Sequence, residues 1–372
     1  MDSDLSTAIQ KIEITAVDTF EQMKAYAAEW NQLAAQSPLR LPMLAHAWVA
    51  PYLKHRLGTG ESWTCLLARE NSSLIGVLPI IRSKSKPFRQ QCRLRVPYPT
   101  DILIATGREK EIISLFMTGL ERIFPHRHEL SLKRIHHQSP SISILSPEKI
   151  NQRVVRDFDG YGTYMEITGT YDSFRARLSS GFRRNIQKAT RQLMARGNIR
   201  LEHHHGKSIT DQDLETFIQI EGSGWKGRTG SAIARKSSKS AYYAELIKHL
   251  QDLNWLHWYF LLLDDRPIAG LLAIRMENTL VFEKMGYEEA FAAFSPGHVL
   301  FEKILESVFK IGEIKEINFL SDDPWISVWH PKKRLYYNLF LYPRRSGPTL
   351  VGYLPRRLLV GLRRLGRDDI EK

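Results

Sequence analysis

Three stretches of this chain set ionisable side chains on a loop, a strand and a helix start. The first is Glu221-Gly222-Ser223-Gly224-Trp225-Lys226-Gly227-Arg228-Thr229-Gly230, which follows a helix expected over 211–220. Four glycines in ten residues mark a loop. A carboxylate, an indole and an ammonium presented on such a loop suit a substrate site, as proton acceptor, aromatic platform and charge clamp. Glu221 is either helix-end surface or a base, since an acid at a helix C-terminus opposes the dipole. The second stretch is Glu283-Lys284-Met285-Gly286-Tyr287, on an expected strand. Glu283 is the other candidate base. Tyr287 is a proton donor or orienter, or else a core aromatic, and Lys284 points to an anion or to solvent. The third is Ser295-Pro296-Gly297-His298, with Ser295 as N-cap, Pro296 at the first helical position and His298 in the first turn. An open helix start offers backbone N–H groups and the positive dipole end to an anion.

The elements around these residues are legible from turns and periodicity. Leu256–Leu263 is an aromatic and aliphatic strand, 264–267 is turn chemistry, and 268–276 returns as a second strand. Glu277-Asn278 turns into a third strand, Thr279–Tyr287. The helix that follows carries Val299, Leu300, Ile304, Leu305 and Val308 with lysines and glutamates between. An earlier hairpin, 62–68 with 74–81, has the same layout as 255–263 with 268–274: a tryptophan near the start, a polar turn, and a small residue after the first isoleucine of the return strand. We read this as an internal repeat. Helical regions precede each hairpin, over 19–56 in the first half and over 171–196, 211–222 and 237–250 in the second. The stretch 101–124 is expected to hold a strand and a helix, 130–135 a strand, and 142–145 a further one. Gly160-Tyr161-Gly162 is expected to break the pattern near the division between halves. The stretches 316–320 and 335–342 are expected to be the last strands of the second unit.

The chain has 372 residues, enough for two domains with separate cores. Its 53 Lys and Arg against 40 Asp and Glu give a net charge of +13, which favours anionic partners: the phosphates of a small ligand, nucleic acid or an acidic membrane face. No run approaches the roughly 18 apolar residues of a membrane span, and Met1-Asp2-Ser3-Asp4 lacks a signal-peptide pattern, so a cytoplasmic protein is expected. Cys65 and Cys92 match no metal spacing. His203-His204-His205 alternate faces on a strand, so all three cannot bind one ion, and no metal is expected.

Two basic helices are expected. One places Phe182, Ile186, Ala189 and Leu193 on an apolar face, with Arg183, Arg184, Lys188, Arg191 and Arg196 around the rest. It is either a grip for an anionic acceptor or a solvated face. The other is the tail at 352–365, where Leu358, Leu359, Leu362 and Leu365 share a face flanked by Arg-Arg pairs. It is either an interfacial membrane helix or a helix packed on the body through those leucines.

Glu221 with Trp225-Lys226-Gly227 and Gly230-Ser231-Ala232-Ile233 resembles the Glu…Trp-Lys-Gly…Gly-Thr-Ala-Ile signature of bacterial acetyltransferases linked to cellulose biosynthesis, of the CelD/BcsL type. Their shared domain is the BioF2-like acetyltransferase domain of the GNAT superfamily. The order of other segments is similar: Phe182-Arg183-Arg184-Asn185 for the basic helix, Glu283-Lys284-Met285-Gly286-Tyr287 for a Lys-x-x-Tyr strand, Phe294-Ser295-Pro296-Gly297 for the helix start, and Asn318-Phe319-Leu320 followed by Trp329 for the closing strand and tryptophan. The resemblance covers most of 171–342 and, more faintly, 30–101, where Pro97-Tyr98-Pro99-Thr100-Asp101 resembles a Pro-Tyr-x-Asp element. One departure is that 322–329 lacks the lysine usual before the closing tryptophan.

The resemblance implies an α/β (α+β) fold of tandem GNAT-like units with mixed, mostly antiparallel sheets flanked by helices, as in the FemX/FemAB peptidoglycan aminoacyltransferases. The units would be 1–155 and 156–345, with 346–372 as the basic amphipathic tail. It implies acetyl-CoA or another acyl-CoA as donor, bound by Ser295, Pro296, Gly297, His298 and Lys284. Glu221, Glu283 and Tyr287 would be catalytic, and Trp225, Lys226, Arg184 and Trp329 would bind the acceptor, an amine on a sugar or envelope precursor. The alternatives are aminoacyl transfer from charged tRNA, as in the FemX relatives, or a non-catalytic GNAT scaffold at a membrane.

Overall fold

The computed structural model describes residues 12–84, 92–99, 101–223, 237–344 and 347–368. Among these residues thirteen strands form one sheet. The first-half strands are β1 (Glu13–Val17), β2 (Ser62–Glu70), β3 (Ser73–Lys84), β4 (Cys92–Arg95), β5 (Leu103–Ile104) and β6 (Arg127–His136). They continue as β7 (Gln152–Glu166), β8 (Ile199–His205), β9 (Leu256–Leu263), β10 (Arg266–Met276), β11 (Thr279–Tyr287), β12 (Glu316–Asn318) and β13 (Lys332–Pro343). The hairpin turns follow local chemistry. Asn71 and Ser72 both take positive φ, 47° and 68°, which suits a tight turn between right-twisted strands. Asp264 and Glu277 also take positive φ at their turns.

The strand order is β1-β2-β3-β4-β6-β13-β7-β12-β11-β10-β9-β8, with β5 beside β3. Outward from the central antiparallel pair β13–β7, both halves repeat one pattern. β13–β6 and β7–β12 are antiparallel. β6–β4 and β12–β11 are parallel. The remaining neighbours, β4-β3-β2-β1 and β11-β10-β9-β8, are antiparallel. The two expected hairpins, β2–β3 and β9–β10, thus occupy equivalent places. The last strands are exchanged, however. β7 follows β6 in the chain but pairs with β12, and β13 follows β12 but pairs with β6.

Three expectations need correcting. The segment 335–342 lies in β13, between β6 and β7, instead of completing the second half alone. Gly160-Tyr161-Gly162 lies within β7, where Asp159 is an extra residue opposite Tyr336 and Tyr337 and Gly160 takes φ 141°. A bulge with a glycine lets the strand bend without ending. The stretch around 142–145 is the Pro140–Ile144 helix, started by Ser139, whose side chain accepts from the Ser141 N–H.

Helices cover both faces. Helices Ala27–Gln36, His46–His55, Asp211–Ser223 and Ser237–Asp252 share one core with Trp258, Phe260 and Leu262 of β9. Helices Tyr171–Ala176, Ser180–Met194 and Pro296–Ile311 cover the opposite face, against Tyr259 and Leu261. β9 is apolar apart from His257 because its alternate residues feed two buried layers. The Glu109–Ile123 helix closes a third core over β2, β3 and β6. The Ser237–Asp252 and His46–His55 helices also join through Glu245, whose carboxylate accepts from His55 Nε2 at 2.6 Å and pairs with Lys54 at 2.9 Å.

Candidate active site

The site begins where two parallel strands part. β11 and β12 pair only over Thr279↔Glu316, Leu280↔Ile317 and Val281↔Asn318. Beyond Asn318 the chain turns through Leu320, at φ 59°, into the short Pro324–Ser327 helix, and the rest of β11 is left without a neighbour on that side among the described residues. A bulge falls at the parting point. Leu272 pairs with Lys284 and Ala273 with Phe282, so Glu283 is the extra residue of β11. Bulges re-aim side chains and interrupt pairing, and here the bulge sits at the mouth of the wedge.

The wedge is a cavity of about 750 Å³. It is lined by Glu283–Tyr287 of β11, by Ser321, Asp323 and Trp325 on the other arm, by Glu221 from one helix layer, and by Ser295, Pro296, Gly297 and His298 from the other. It therefore reaches from one face of the sheet to the other.

On one face lies the Pro296–Ile311 helix. Ser295 is the N-cap residue, as expected, in the left-handed region (φ 47°, ψ 50°), but its side chain makes no capping hydrogen bond. Pro296 has no N–H, so Gly297 supplies the first amide of the helix, and both line the cavity. The first turn holds no acid. The Glu109–Ile123 helix, in the corresponding place of the first half, carries Glu109 and Glu111 in its first turn. Acids there satisfy the dipole and oppose an incoming anion, so the second half alone presents an anion-compatible helix start at this position.

His298 is fixed from behind. The Trp329 indole N–H donates to His298 Nδ1 at 3.1 Å. Since an indole nitrogen only donates, Nδ1 is the unprotonated nitrogen, and burial pushes the His298 pKa down. The imidazole is neutral with its proton on Nε2. Trp329 itself is 1% exposed, packed against Phe182 and Phe301 with ring centroids 4.9 Å and 4.7 Å away. It does not line the cavity and reaches it through His298.

On the other face stand the carboxylates. Glu221 is buried, and its Oε1 accepts from Lys284 Nζ at 2.9 Å, so Lys284 turns inward to Glu221 and not to solvent. The helix backbone at Glu221 approaches β11 so closely that a Cβ on Gly286 would lie 3.2 Å from Glu221 Cα. Glu283 accepts from the Tyr243 hydroxyl at 2.9 Å. Burial, and then the charge of Glu283, raise the Tyr243 pKa, so the phenol stays protonated and keeps donating. Tyr287 lines the cavity between Gly286 and the helix start.

The structure thus gathers Glu221, Glu283, Lys284, Tyr287, Ser295, Pro296, Gly297 and His298 around one cavity. Arg184 is exposed on the Ser180–Met194 helix and does not line it. Trp225 and Lys226 lie outside the described residues. Sequence reasoning missed Tyr243, Ser321, Asp323 and Trp325. Tyr243 sits in an apolar helix stretch beside Tyr242, and nothing local marks Glu283 as its partner.

Residues 180–325 match a family model described as Acetyltransferase (GNAT) domain. The chain therefore carries a GNAT-type acetyltransferase domain over that span. The whole fold is similar to a solved structure of FemX: TM-score 0.62, 10% identity, covering 88% of this chain and 97% of that one. It is also similar to a conserved protein of unknown function from Bacteroides thetaiotaomicron, with TM-score 0.55, 10% identity and coverage of 89% and 100%. At that identity the likeness is one of fold. No curated protein sequence matches the chain.

Proposed function

We propose that the protein is an acyl-CoA-dependent N-acyltransferase that moves an acetyl group from acetyl-CoA to an amino group on a sugar or cell-envelope precursor. One observation carries this reading. The wedge between β11 and β12, bulged at Glu283, opens onto the acid-free start of the Pro296–Ile311 helix. The donor pyrophosphate sits at that start, against the Gly297 amide and the Nε2–H of His298. The thioester lies in the wedge beside β11, whose backbone amides would meet the developing oxyanion. The acceptor amine enters from the Glu221 side.

Glu283 takes the proton from the attacking amine, the new amide bond forms as the carbon–sulfur bond breaks, and Tyr287 returns a proton to the thiolate. Glu283 suits the base better than Glu221, whose charge is paired with Lys284 inside the wall. Glu221 and Lys284 hold β11 in place. The division into units 1–155 and 156–345, the CelD/BcsL kinship and a role in cellulose or exopolysaccharide biosynthesis follow from the sequence resemblance. A cytoplasmic enzyme working at the inner membrane face fits that acceptor class. No helix among the described residues is long and apolar enough to cross a membrane.

A second reading is aminoacyl transfer from charged tRNA, favoured by the fold likeness to FemX and by the exposed Arg184 and Lys188 on the basic helix. Calorimetric titration with acetyl-CoA, free CoA and charged tRNA separates the two. Binding of the CoA species at micromolar strength, lost on Gly297→Val, supports the acyltransferase. Binding of charged tRNA without CoA binding replaces it with the second reading. Binding of neither leaves a non-catalytic scaffold.

A further inference from the structure

The helix Gly347–Asp368 holds an apolar face that the protein body does not use. Its inner side packs through Tyr353 and Val360 on Val155, Phe340 and Tyr342. At about 100° per residue, Leu354, Leu358 and Leu362 fall on the opposite side. Leu358 is 67% exposed, Leu362 66% and Leu359 56%. These leucines therefore do not dock the helix on the body, one of the two readings the sequence left open. A row of exposed leucines on one helix is an interaction face.

The arginines sit at its borders. Arg357 lies on one flank, and Arg356 and Arg363 on the other. Arg356 stacks on Phe340 with its guanidinium 3.6 Å from the ring centroid, and Arg363 pairs with Asp157 at 2.9 Å. Arg153 and Arg357 converge on Tyr353 and, like the exposed Arg344, have no carboxylate partner among the described residues. The sequence deepens the bias: residues 324–367 contain ten Lys or Arg and no Asp or Glu.

We propose that this helix lies flat on an anionic membrane surface, with Leu354, Leu358 and Leu362 in the acyl boundary and Arg153, Arg344 and Arg357 among the headgroups. A leucine row framed by cations and facing away from its own protein is the geometry of an interfacial helix. A second copy of the chain on this face would set the same arginines against one another. The proposal is independent of the acyl-transfer reading, because the helix lies outside the cavity.

The test is vesicle co-sedimentation of the full chain, with phosphatidylcholine alone and with about one-third phosphatidylglycerol. Binding is expected to the anionic vesicles only, and to fall at least about tenfold in Leu358→Glu/Leu362→Glu and on raising salt to about 0.5 M. Circular dichroism and acetyl-CoA titration of the same variant are expected to match the unaltered protein, so a failure here is distinguishable from a failure of the catalytic reading. Absence of vesicle binding, or binding that the leucine substitutions leave unchanged, overturns the proposal. A dimer in sedimentation velocity that those substitutions dissociate assigns the face to a second copy and overturns it equally.

Discussion

The indole N–H of Trp329 donates to Nδ1 of His298 at 3.1 Å, across 31 residues of chain. That bond sets which imidazole nitrogen carries the proton at the helix start. Trp329→Phe keeps most of the packing but removes the donor, leaving His298 free to turn. Acetyl-CoA affinity is expected to fall by roughly three- to tenfold, about the worth of one hydrogen bond, with little change in fold. Calorimetry of the variant beside its circular dichroism spectrum checks this. Unchanged affinity would remove His298 from the donor site.

Glu221 and Lys284 form an ion pair with side-chain exposures of 0% and 14%. Removing one partner takes the counter-ion from the other inside the wall. Glu221→Gln and Lys284→Met are each expected to cost about 3–5 kcal/mol in urea unfolding, and the double variant markedly less than their sum. Additive losses would mean that the pair is not coupled.

Glu283 and Tyr243 test the base assignment. Glu283→Gln is expected to lower kcat by about 10²–10⁴-fold with little effect on donor affinity. Tyr243→Phe removes only the supporting hydrogen bond and should cost far less in kcat. Loss of rate in Glu221→Gln with full rate in Glu283→Gln would exchange their roles.

Gly286 has its own test. An alanine there sets Cβ 3.2 Å from Glu221 Cα, and that contact is backbone, so the helix must move. A loss of about 1–3 kcal/mol is expected, read as a lower unfolding midpoint. A neutral Gly286→Ala would show that the Asp211–Ser223 helix shifts freely.

Acid should destabilise the fold ahead of carboxylate titration. Burial lowers the pKa of His46 and His203 to about 4, and of His136 and His257 to about 3. Each binds its proton less readily folded than unfolded. Their contribution is complete above the unfolded value of 6.5 and is lost as pH falls through the folded values. Each group adds a slope of up to about 1.4 kcal/mol per pH unit in that window. Urea midpoints between pH 7 and pH 4 measure it, and a flat profile would mean that these imidazoles protonate without opening the fold.

Much of the second half was legible locally. Apolar runs bounded by Asp264-Asp265 and Glu277-Asn278 mark three strands, and Ser295-Pro296-Gly297 marks a helix start, because turn and helix-start preferences depend on a few adjacent residues. The same locality misled at Gly160-Tyr161-Gly162. Glycine there permits a bulge as readily as a break, and only pairing with β13 on one side and β12 on the other decides for a continuous strand.

The sequence by itself determined the meander, the helix start and the residue types that face the cavity, since each is written in spacings of a few residues. Tertiary structure decided the rest. The exchange of β7 and β13 is a choice of edge that no local preference specifies. The inward turn of Lys284 needs Glu221, 63 residues away, and the leucines of the last helix face outward because Tyr353 and Val360 pack on Phe340 and Tyr342. Charge partners and shared faces are set by which surfaces meet, and that depends on the packing of the whole sheet.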